Sequence, residues 1–340
     1  MIRIGTLAAG HRPARWRWAL GWAMATGLIF LCLRHVAWGR FAADMRTLRP
    51  GWALLAAAFN GAVLLIWPLQ WRLFLPADRR IPYPRMFRIT SLAAMVMNTV
   101  PFMAGHVLGG ILLSRHPRID TGTAVSVLTI DQLCKGLVKA GMLLAALLLA
   151  PLPQWMHGGG RIVAAAAVVL TAVFAGVRHW GKAAPAGALE GFALRRWAVR
   201  LRAAGTPAAV GAGVFLAVAM KGLELAAICA VVAAFGKSPD IREALLVLVA
   251  VNMATLLSVA PGNLGMYETA AVLTYTWLGV DAGTAFSMAL LQHLCFLLPW
   301  IGTGYAVSIA AALRSARRAG GGAADGGTVE AQVTGNDPVP

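Results

Sequence analysis

The sequence Ser258-Val-Ala-Pro-Gly-Asn-Leu-Gly-Met-Tyr-Glu268 lies between two long apolar segments. A helix that enters this stretch is predicted to stop, because Pro261 lacks a backbone N–H and Gly262 accepts almost any φ. Inside a bilayer, an interrupted backbone is stable only where it is buried in protein or lines a wet cavity. An ionisable side chain at membrane depth also indicates function. The break and Glu268 together therefore predict a site.

The composition indicates a membrane protein. Of 340 residues, 59% are hydrophobic and only 13% are charged, which is too apolar for an ordinary soluble protein. We therefore predict an all-α polytopic membrane protein. The formal net charge of +17 comes from arginines between the apolar runs, as in loops on a cytoplasmic face. This pattern predicts contacts with anionic inner-leaflet lipids through basic loops, and no nucleic-acid partner.

The apolar runs predict about six full spans and two broken, re-entrant helical hairpins. The full spans are expected near residues 18–36, 51–69, 123–149, 162–177, 208–235 and 286–313, and the hairpins within 89–113 and 243–279. The pieces around Pro101 are too short to cross a hydrocarbon core about 30 Å thick. One hairpin is expected to enter from the cytoplasm and the other from outside, which fits an inverted repeat.

The predicted spans divide the chain into three segments. They are a basic cytoplasmic N-terminus over residues 1–17, a transmembrane domain over 18–313, and a Gly-rich, disordered cytoplasmic tail over 314–340. Trp71 and Arg72 are predicted to anchor the end of the second span at the membrane interface. All four cysteines fall inside apolar segments without a C-x-x-C pair, so we predict no disulfide, metal site or cofactor. The sequence specifies no oligomeric state.

Two motifs carry a family resemblance. Pro261-Gly-Asn-Leu-Gly265-x-x-Glu268 resembles the P-G-G-L-G-x-x-E signature of the lysylphosphatidylglycerol synthase transmembrane-region family, whose members are also called flippase-like domain proteins. Asn98-x-x-Pro101-x-x-x-Gly105 resembles the N-x-x-P-x-x-x-G-E motif of that family. His106 stands where the first motif usually has Glu, and Asn263 stands where the second usually has Gly. The similarity extends over about residues 15–313.

This resemblance implies a protein that handles lipids or lipid-linked precursors in a bacterial cytoplasmic membrane, with both termini inside. Some family members also carry a soluble aminoacyltransferase domain, and the residues after Leu313 are too few to encode one. Standalone members with this compact layout resemble a hopanoid-associated branch. The departure at His106 argues against a mechanism that needs a carboxylate in both hairpins.

Charged side chains inside the spans are the other predicted feature. Asp131, Lys135 and Lys139 follow at i, i+4 and i+8, and a second pair, Lys221 and Glu224, is spaced i, i+3. An unpaired charge in a span costs at least about 2.5–3.5 kcal/mol. Together with Glu268 these charges can neutralise one another. Two interpretations stay open, a structural ion-pair network and a substrate path.

The substrate-path hypothesis places a polar groove between the two hairpins. Its predicted substrate-binding residues are Asn98, Pro101, Gly105, His106, Asp131, Lys135, Lys139, Lys221, Glu224, Asn252, Pro261, Gly262, Asn263, Gly265 and Glu268, with Gln292 and His293 beside them. A phosphate or sugar head group would lie near the lysines and near the start of the helix that reopens after the second break. The acyl or polyprenyl chain would remain in the bilayer.

The sequence contains no G-x-S-x-G, H-E-x-x-H, C-x-x-C or P-loop motif, so we expect no enzymatic activity. Two alternatives to translocation remain. One is an intramembrane lipid-modifying enzyme that uses Glu268 with His106. The other is a non-catalytic accessory subunit of a hopanoid or aminoacyl-lipid pathway. A hydrated cavity lined by the charged residues would favour transport or catalysis, and a fully packed set would favour the accessory role.

Overall fold

The structure, a computed structural model, describes residues 38–100, 104–149, 199–201, 205–256 and 260–329, and isolated positions between 153 and 176. Side chains at the C-terminal end are described as far as Ser315. Every regular element in this part of the chain is helical, which confirms the all-α prediction.

The α-helices are α1 (Trp38–Thr47), α2 (Pro50–Leu73), α3 (Tyr83–Thr99), α4 (Ala104–Ser114), α5 (Thr121–Leu149), α6 (Pro207–Ala234), α7 (Ile241–Ala254), α8 (Met266–Trp277) and α9 (Ala282–Val329). Short 3₁₀ turns occur at Ala77–Arg79 and Pro261–Asn263. Helix starts follow local chemistry. At α6, for example, the Thr206 hydroxyl accepts a hydrogen bond from the backbone N–H of Ala209, and Pro207 occupies the first turn, where no backbone donor is needed.

Four helices are long and apolar enough to cross a membrane: α2, α5, α6 and the Ala282–Ser315 part of α9. They coincide with four of the predicted full spans. The other two predicted spans, 18–36 and 162–177, fall where the structure describes no residue or only isolated positions. The α9 helix continues past Leu313 to Val329, and residues 330–340 of the predicted tail lie outside the described residues.

The first hairpin consists of α3 and α4, which pack along each other on either side of residues 101–103. Those three residues, including the predicted site residue Pro101, lie outside the described part of the chain. Gly105 lets the two arms approach, because a Cβ at this position would lie only 2.6 Å from the backbone nitrogen of Met97. The close contact explains the glycine of the first motif.

The second hairpin consists of α7, the 3₁₀ turn and α8, with residues 257–259 outside the described part of the chain. The backbone turns by left-handed conformations, with φ of 58° at Gly262, 56° at Asn263 and 82° at Gly265. Asn263 is the one non-glycine residue with positive φ among the described residues. Asn tolerates this region better than most residues, so it replaces the family glycine without losing the turn.

The core forms around α2, which packs against α6 and α9. Trp67 contacts Trp71 with 5.3 Å between ring centroids and Trp300 of α9 with 5.6 Å. The prediction that Trp71 anchors the membrane interface is wrong, because its side chain is fully buried. A Cβ at Gly109 would lie 2.6 Å from the Trp71 ring, so this glycine makes room for the indole between α2 and the first hairpin.

Candidate functional site

A central cavity of about 350 Å³ lies between the two hairpins and the long helices. Polar side chains from every helix from α2 to α9 and from the second break line it, together with aromatic rings. The polar lining residues are Asn60, Asn98, His106, Gln132, Lys135, Lys139, Lys221, Glu224, Asn252, Thr255, Asn263, Tyr267 and Gln292. A polar cavity within an otherwise apolar helical bundle can hold water or a polar ligand group.

The tips of the two hairpins meet at this cavity. The end of α3 packs against the 3₁₀ turn of the second break. A Cβ at Gly262 would lie 3.0 Å from the carbonyl oxygen of Asn98, so the two backbones are in direct contact. The Asn98 side-chain amide donates to the Ala94 carbonyl at 2.9 Å, which fixes the last turn of α3.

Glu268 and His293 hold the second break together. One Glu268 oxygen accepts the backbone N–H of Gly265 at 2.7 Å, and the other lies 2.6 Å from Nδ1 of His293. Nε2 of His293 lies 2.9 Å from the carbonyl oxygen of Gly262. Because a carbonyl only accepts, Nε2 carries a proton. A further proton is shared between Nδ1 and the carboxyl group, so the pair is neutral whichever partner holds that proton.

Glu268 therefore lies behind the cavity wall. Its residue is 5% exposed, and in the described part of the chain its two oxygens face Gly265 and His293 rather than the cavity. Tyr267 stands between them and the cavity, with its ring stacked 4.1 Å from the His293 ring. Gln292 donates to the Tyr267 hydroxyl and accepts from the Tyr275 hydroxyl, both at 2.8 Å. These hydrogen bonds join α8 to α9 on this side of the cavity.

The α5 helix contributes a chain of polar contacts to the first hairpin. Lys135 binds Asp131 at 2.9 Å and places its ammonium group 4.4 Å from the Trp67 ring centre. The Gln132 amide nitrogen lies 3.2 Å from Asp131 Oδ2 and 2.7 Å from His106 Nε2. Since the amide donates, His106 Nε2 accepts and Nδ1 carries the proton. Nδ1 has no hydrogen-bond partner among the described residues.

A second ion pair lies on α6. Lys221 and Glu224 are 2.6 Å apart, and Lys221 also donates to the Asn252 side chain of α7 at 3.1 Å. The Asn252 amide nitrogen in turn donates to the Leu248 carbonyl at 2.7 Å. Each of the two ion pairs is therefore formed within its own helix. Contacts between helices come from Asn252, which binds Lys221, and from Gln132, which binds His106.

Lys139 differs from the other two lysines of the wall. It lies one helical turn after Lys135 and lines the same cavity. No described residue forms an ion pair or a hydrogen bond with its ammonium group.

An ionic contact outside the spans joins the start of α5 to the basic segment before α6. Arg200 binds Asp120 at 2.6 Å, and Arg79 lies 3.9 Å from the same carboxylate. Burial opposes ionisation of Asp120, but the Thr123 hydroxyl and the Arg200 guanidinium outweigh it and lower the pKa of this carboxyl group. The contact fixes one point of the 178–207 connection against the turn after the first hairpin.

The predicted site residues divide into two groups. Those that line the cavity are Asn98, His106, Lys135, Lys139, Lys221, Glu224, Asn252 and Asn263. Those that the described structure places behind its wall are Gly105, Asp131, Pro261, Gly262, Gly265 and Glu268. Gln292 and His293 were predicted to lie beside these residues. Gln292 lines the cavity, and His293 lies behind its wall, where it binds Glu268. The described residues contain no cluster of three or more His, Cys, Asp or Glu side chains that would hold a metal ion.

Several lining residues were not predicted from the sequence. Among them are the polar side chains Asn60, Gln132 and Thr255 and the aromatic rings of Trp67, Tyr267, Phe296 and Trp300. A signal was available for Gln132, because it is a polar residue inside a span and directly follows Asp131. The aromatic residues gave no such signal, since rings in spans usually serve in packing.

Comparison with known proteins gives one family match. The family model for the lysylphosphatidylglycerol synthase TM region matches residues 18–304, which include both broken hairpins. No curated protein matches the chain significantly.

Proposed function

Since the chain belongs to the lysylphosphatidylglycerol synthase TM-region family, a family related to lipid modification or transport, we propose that it translocates a lipid or lipid-linked precursor. The head group would occupy the central cavity, and the acyl or polyprenyl chain would stay against the apolar outer surface. That surface carries exposed leucine and phenylalanine side chains such as Leu54, Leu148 and Phe215. Opposed tilting of the two hairpins would expose the cavity to each side in turn.

The observation that carries this proposal is the relation of the charges to the cavity. Lys135, Lys139, Lys221 and Glu224 line open space of about 350 Å³ instead of filling a packed interior. Charged groups inside a membrane protein are expensive, and they commonly mark a path for a polar substrate. A purely structural ion-pair network needs no cavity of head-group size beside it.

We place the protein in a bacterial cytoplasmic membrane, with both termini in the cytoplasm. Support comes from the exposed basic segment that contains Arg79, Arg80, Arg85 and Arg88 and precedes the first hairpin. Such a segment is also suited to contact anionic inner-leaflet lipids. Single-cysteine variants at Arg80, tested with an impermeant thiol reagent in intact cells, should stay unlabelled until the membrane is opened.

Reconstitution into liposomes tests translocation. Labelled phospholipids, isoprenoid-linked lipids and hopanoids would be followed as they leave the outer leaflet, with wild type and a Lys221→Gln/Glu224→Gln variant side by side. The double change removes both charges of one wall pair at nearly constant volume. We expect the variant to move lipid at close to the rate of protein-free liposomes.

The matched control is Lys237→Gln/Glu243→Gln, which removes the same two charges from exposed positions outside the cavity and should keep wild-type rates. If folded wild-type protein moves no lipid, the translocation proposal is wrong. The membrane lipids of a deletion strain would then separate an accessory role from an enzymatic one, because an enzyme leaves its unmodified substrate to accumulate.

A further inference from the structure

The charges on the cavity wall do not balance. Lys135 is neutralised by Asp131 at 2.9 Å, and its ammonium group also rests over the Trp67 ring. Lys221 is neutralised by Glu224 at 2.6 Å, and a second of its three N–H donors binds Asn252. Each of these pairs contributes no net charge. Lys139 has no such partner in the described part of the chain, so the wall carries one positive charge in excess.

A lone cation at this depth is costly in the empty protein. Placing an unpaired lysine at the centre of a span costs free energy, and an anion in the cavity would offset part of that cost. The wall also leaves both acceptors and donors unpaired among the described residues, and Oδ1 of Asn263 is one such acceptor. Nδ1 of His106 carries a proton and has no acceptor among the described residues. The site thus holds an unpaired ammonium group and an imidazole donor that lacks a partner.

From this imbalance we infer that the cavity selects a lipid head group with one net negative charge on a phosphate, and that Lys139 is its counter-ion. The inference rests on the proposed function only in taking the cavity as the head-group site. A phosphate supplies a negative charge and several acceptor oxygens, and a lysine ammonium binds it as a point charge. Zwitterionic head groups bring an additional cation. Glu224, the carboxylate that lines the described wall, is already paired with Lys221, and Asp131, which is paired with Lys135 through one oxygen and has the other unpartnered, does not line the cavity.

Equilibrium binding of short-chain lipids to the purified full-length protein tests the inference without any transport step. The probes are dioctanoyl phosphatidylglycerol, which carries one net negative charge, and dioctanoyl phosphatidylcholine, which carries none. We expect the anionic lipid to bind at least about tenfold more tightly, the factor that one charge-assisted hydrogen bond supplies. Glycerol phosphate and inorganic phosphate are measured in parallel, to separate a lipid head group from a soluble anion.

Variants then assign the counter-ion. Lys139→Gln should weaken binding of the anionic lipid by about tenfold and leave the zwitterionic lipid unchanged. Lys139→Arg, which keeps the charge if the glutamine variant fails to fold, should retain the preference. Lys237→Gln, the matched loss of an exposed lysine, should behave as wild type.

The outcomes are distinct. Equal binding of both lipids by wild type, or an unchanged preference in folded Lys139→Gln, would overturn the inference. Binding of free phosphate without binding of the anionic lipid would overturn its lipid part. Selective binding without movement in liposomes would support this inference and refute translocation. Movement of anionic and zwitterionic lipids at equal rates would support translocation and refute this inference.

Discussion

The two broken hairpins are built alike but hold their key polar side chains differently. In the second hairpin, Glu268 folds back onto the N–H of Gly265 and is bound by His293, so its carboxyl group is enclosed. In the first hairpin, His106 occupies the position of the family glutamate, faces the cavity and reaches across to Gln132 of α5. The motif carboxylate of the second hairpin, Glu268, therefore stabilises the fold of its own break. The corresponding side chain of the first hairpin, His106, lines the cavity and is available to a ligand.

The largest effect should come from breaking the enclosed pair. Glu268→Ala removes the cap of α8 and leaves His293 without its partner, and loss of one member of a buried pair costs about 3–5 kcal/mol. Thermal unfolding in detergent should show a large fall in melting temperature, with loss of lipid movement. Glu268→Gln should recover most of the stability, because an amide can accept from Gly265 and donate to a neutral His293. An alanine variant as stable as wild type would contradict the structural role of Glu268.

Gly265 and Gly105 are each expected to be required at their break, the first for its backbone conformation and the second for lack of space. Gly265→Ala places a side chain at φ of 82° and should cost about 1–3 kcal/mol through backbone strain. Gly105→Ala should cost a similar amount through collision, because the new Cβ would meet the backbone of Met97 at 2.6 Å. Gly222→Ala in α6 is the control, since a Cβ there meets nothing within 4 Å. Its melting temperature should equal or exceed that of wild type, and a drop like that of the other two would undermine the comparison.

Restoring the family residue in the first hairpin should change ligand binding more than stability. His106→Glu can still accept from Gln132, but it adds a carboxylate to the cavity that Lys139 lines. We expect anionic lipid to bind about tenfold more weakly, as for loss of one charge-assisted contact, with little change in melting temperature. His106→Gln, which stays neutral, is the control. Tighter binding of anionic lipid by the glutamate variant would contradict the assignment.

The smallest effect is expected at the two aspartates that precede α5 and α7. Asp120 precedes α5 and binds Arg200, whereas Asp240 precedes α7 and its carboxylate accepts only the N–H of Arg242 within the described residues. Asparagine keeps the cap, so Asp240→Asn should be nearly neutral, and Asp120→Asn should cost less than about 1 kcal/mol. Melting temperatures of both variants would be compared with wild type.

The Asp120 effect also has a defined pH dependence. The folded protein lowers the pKa of this carboxyl group, so its contribution is complete above the ordinary aspartate pKa and declines as the pH falls through the lowered value. The difference in melting temperature between wild type and Asp120→Asn should therefore be constant near neutral pH and shrink in acid. A difference that grows in acid would show that the Arg200 contact does not act through the charge.

The breaks and the span-length helices could be predicted because their chemistry is local. Proline and glycine stop a helix wherever they occur, and four predicted spans match α2, α5, α6 and α9 within a few residues over most of their length. The direction of the side chains was harder to predict, because it depends on which helix packs against which face. Trp71 was expected at the interface and lies in the core for this reason.

Glu268 shows a signal that was present but not used. It was expected to line the groove, yet the spacing Gly265-x-x-Glu268 is that of a helix N-terminal capping box, in which the third helical residue returns to the backbone N–H of the cap. That spacing alone predicts a carboxylate turned towards its own helix. The partner His293 could not be inferred in this way, because it comes from a distant segment that reaches the break only through packing of α9 against α8.

The shared proton between Glu268 and His293 also has an electrical consequence. Moving one elementary charge through a membrane potential of 100 mV changes the energy by about 2.3 kcal/mol. A neutral pair has no such energy, so movement of the second hairpin would transfer no charge from Glu268 and His293 across the membrane potential. The membrane voltage would then act on the cavity through Lys139 and through whatever charge the ligand itself brings.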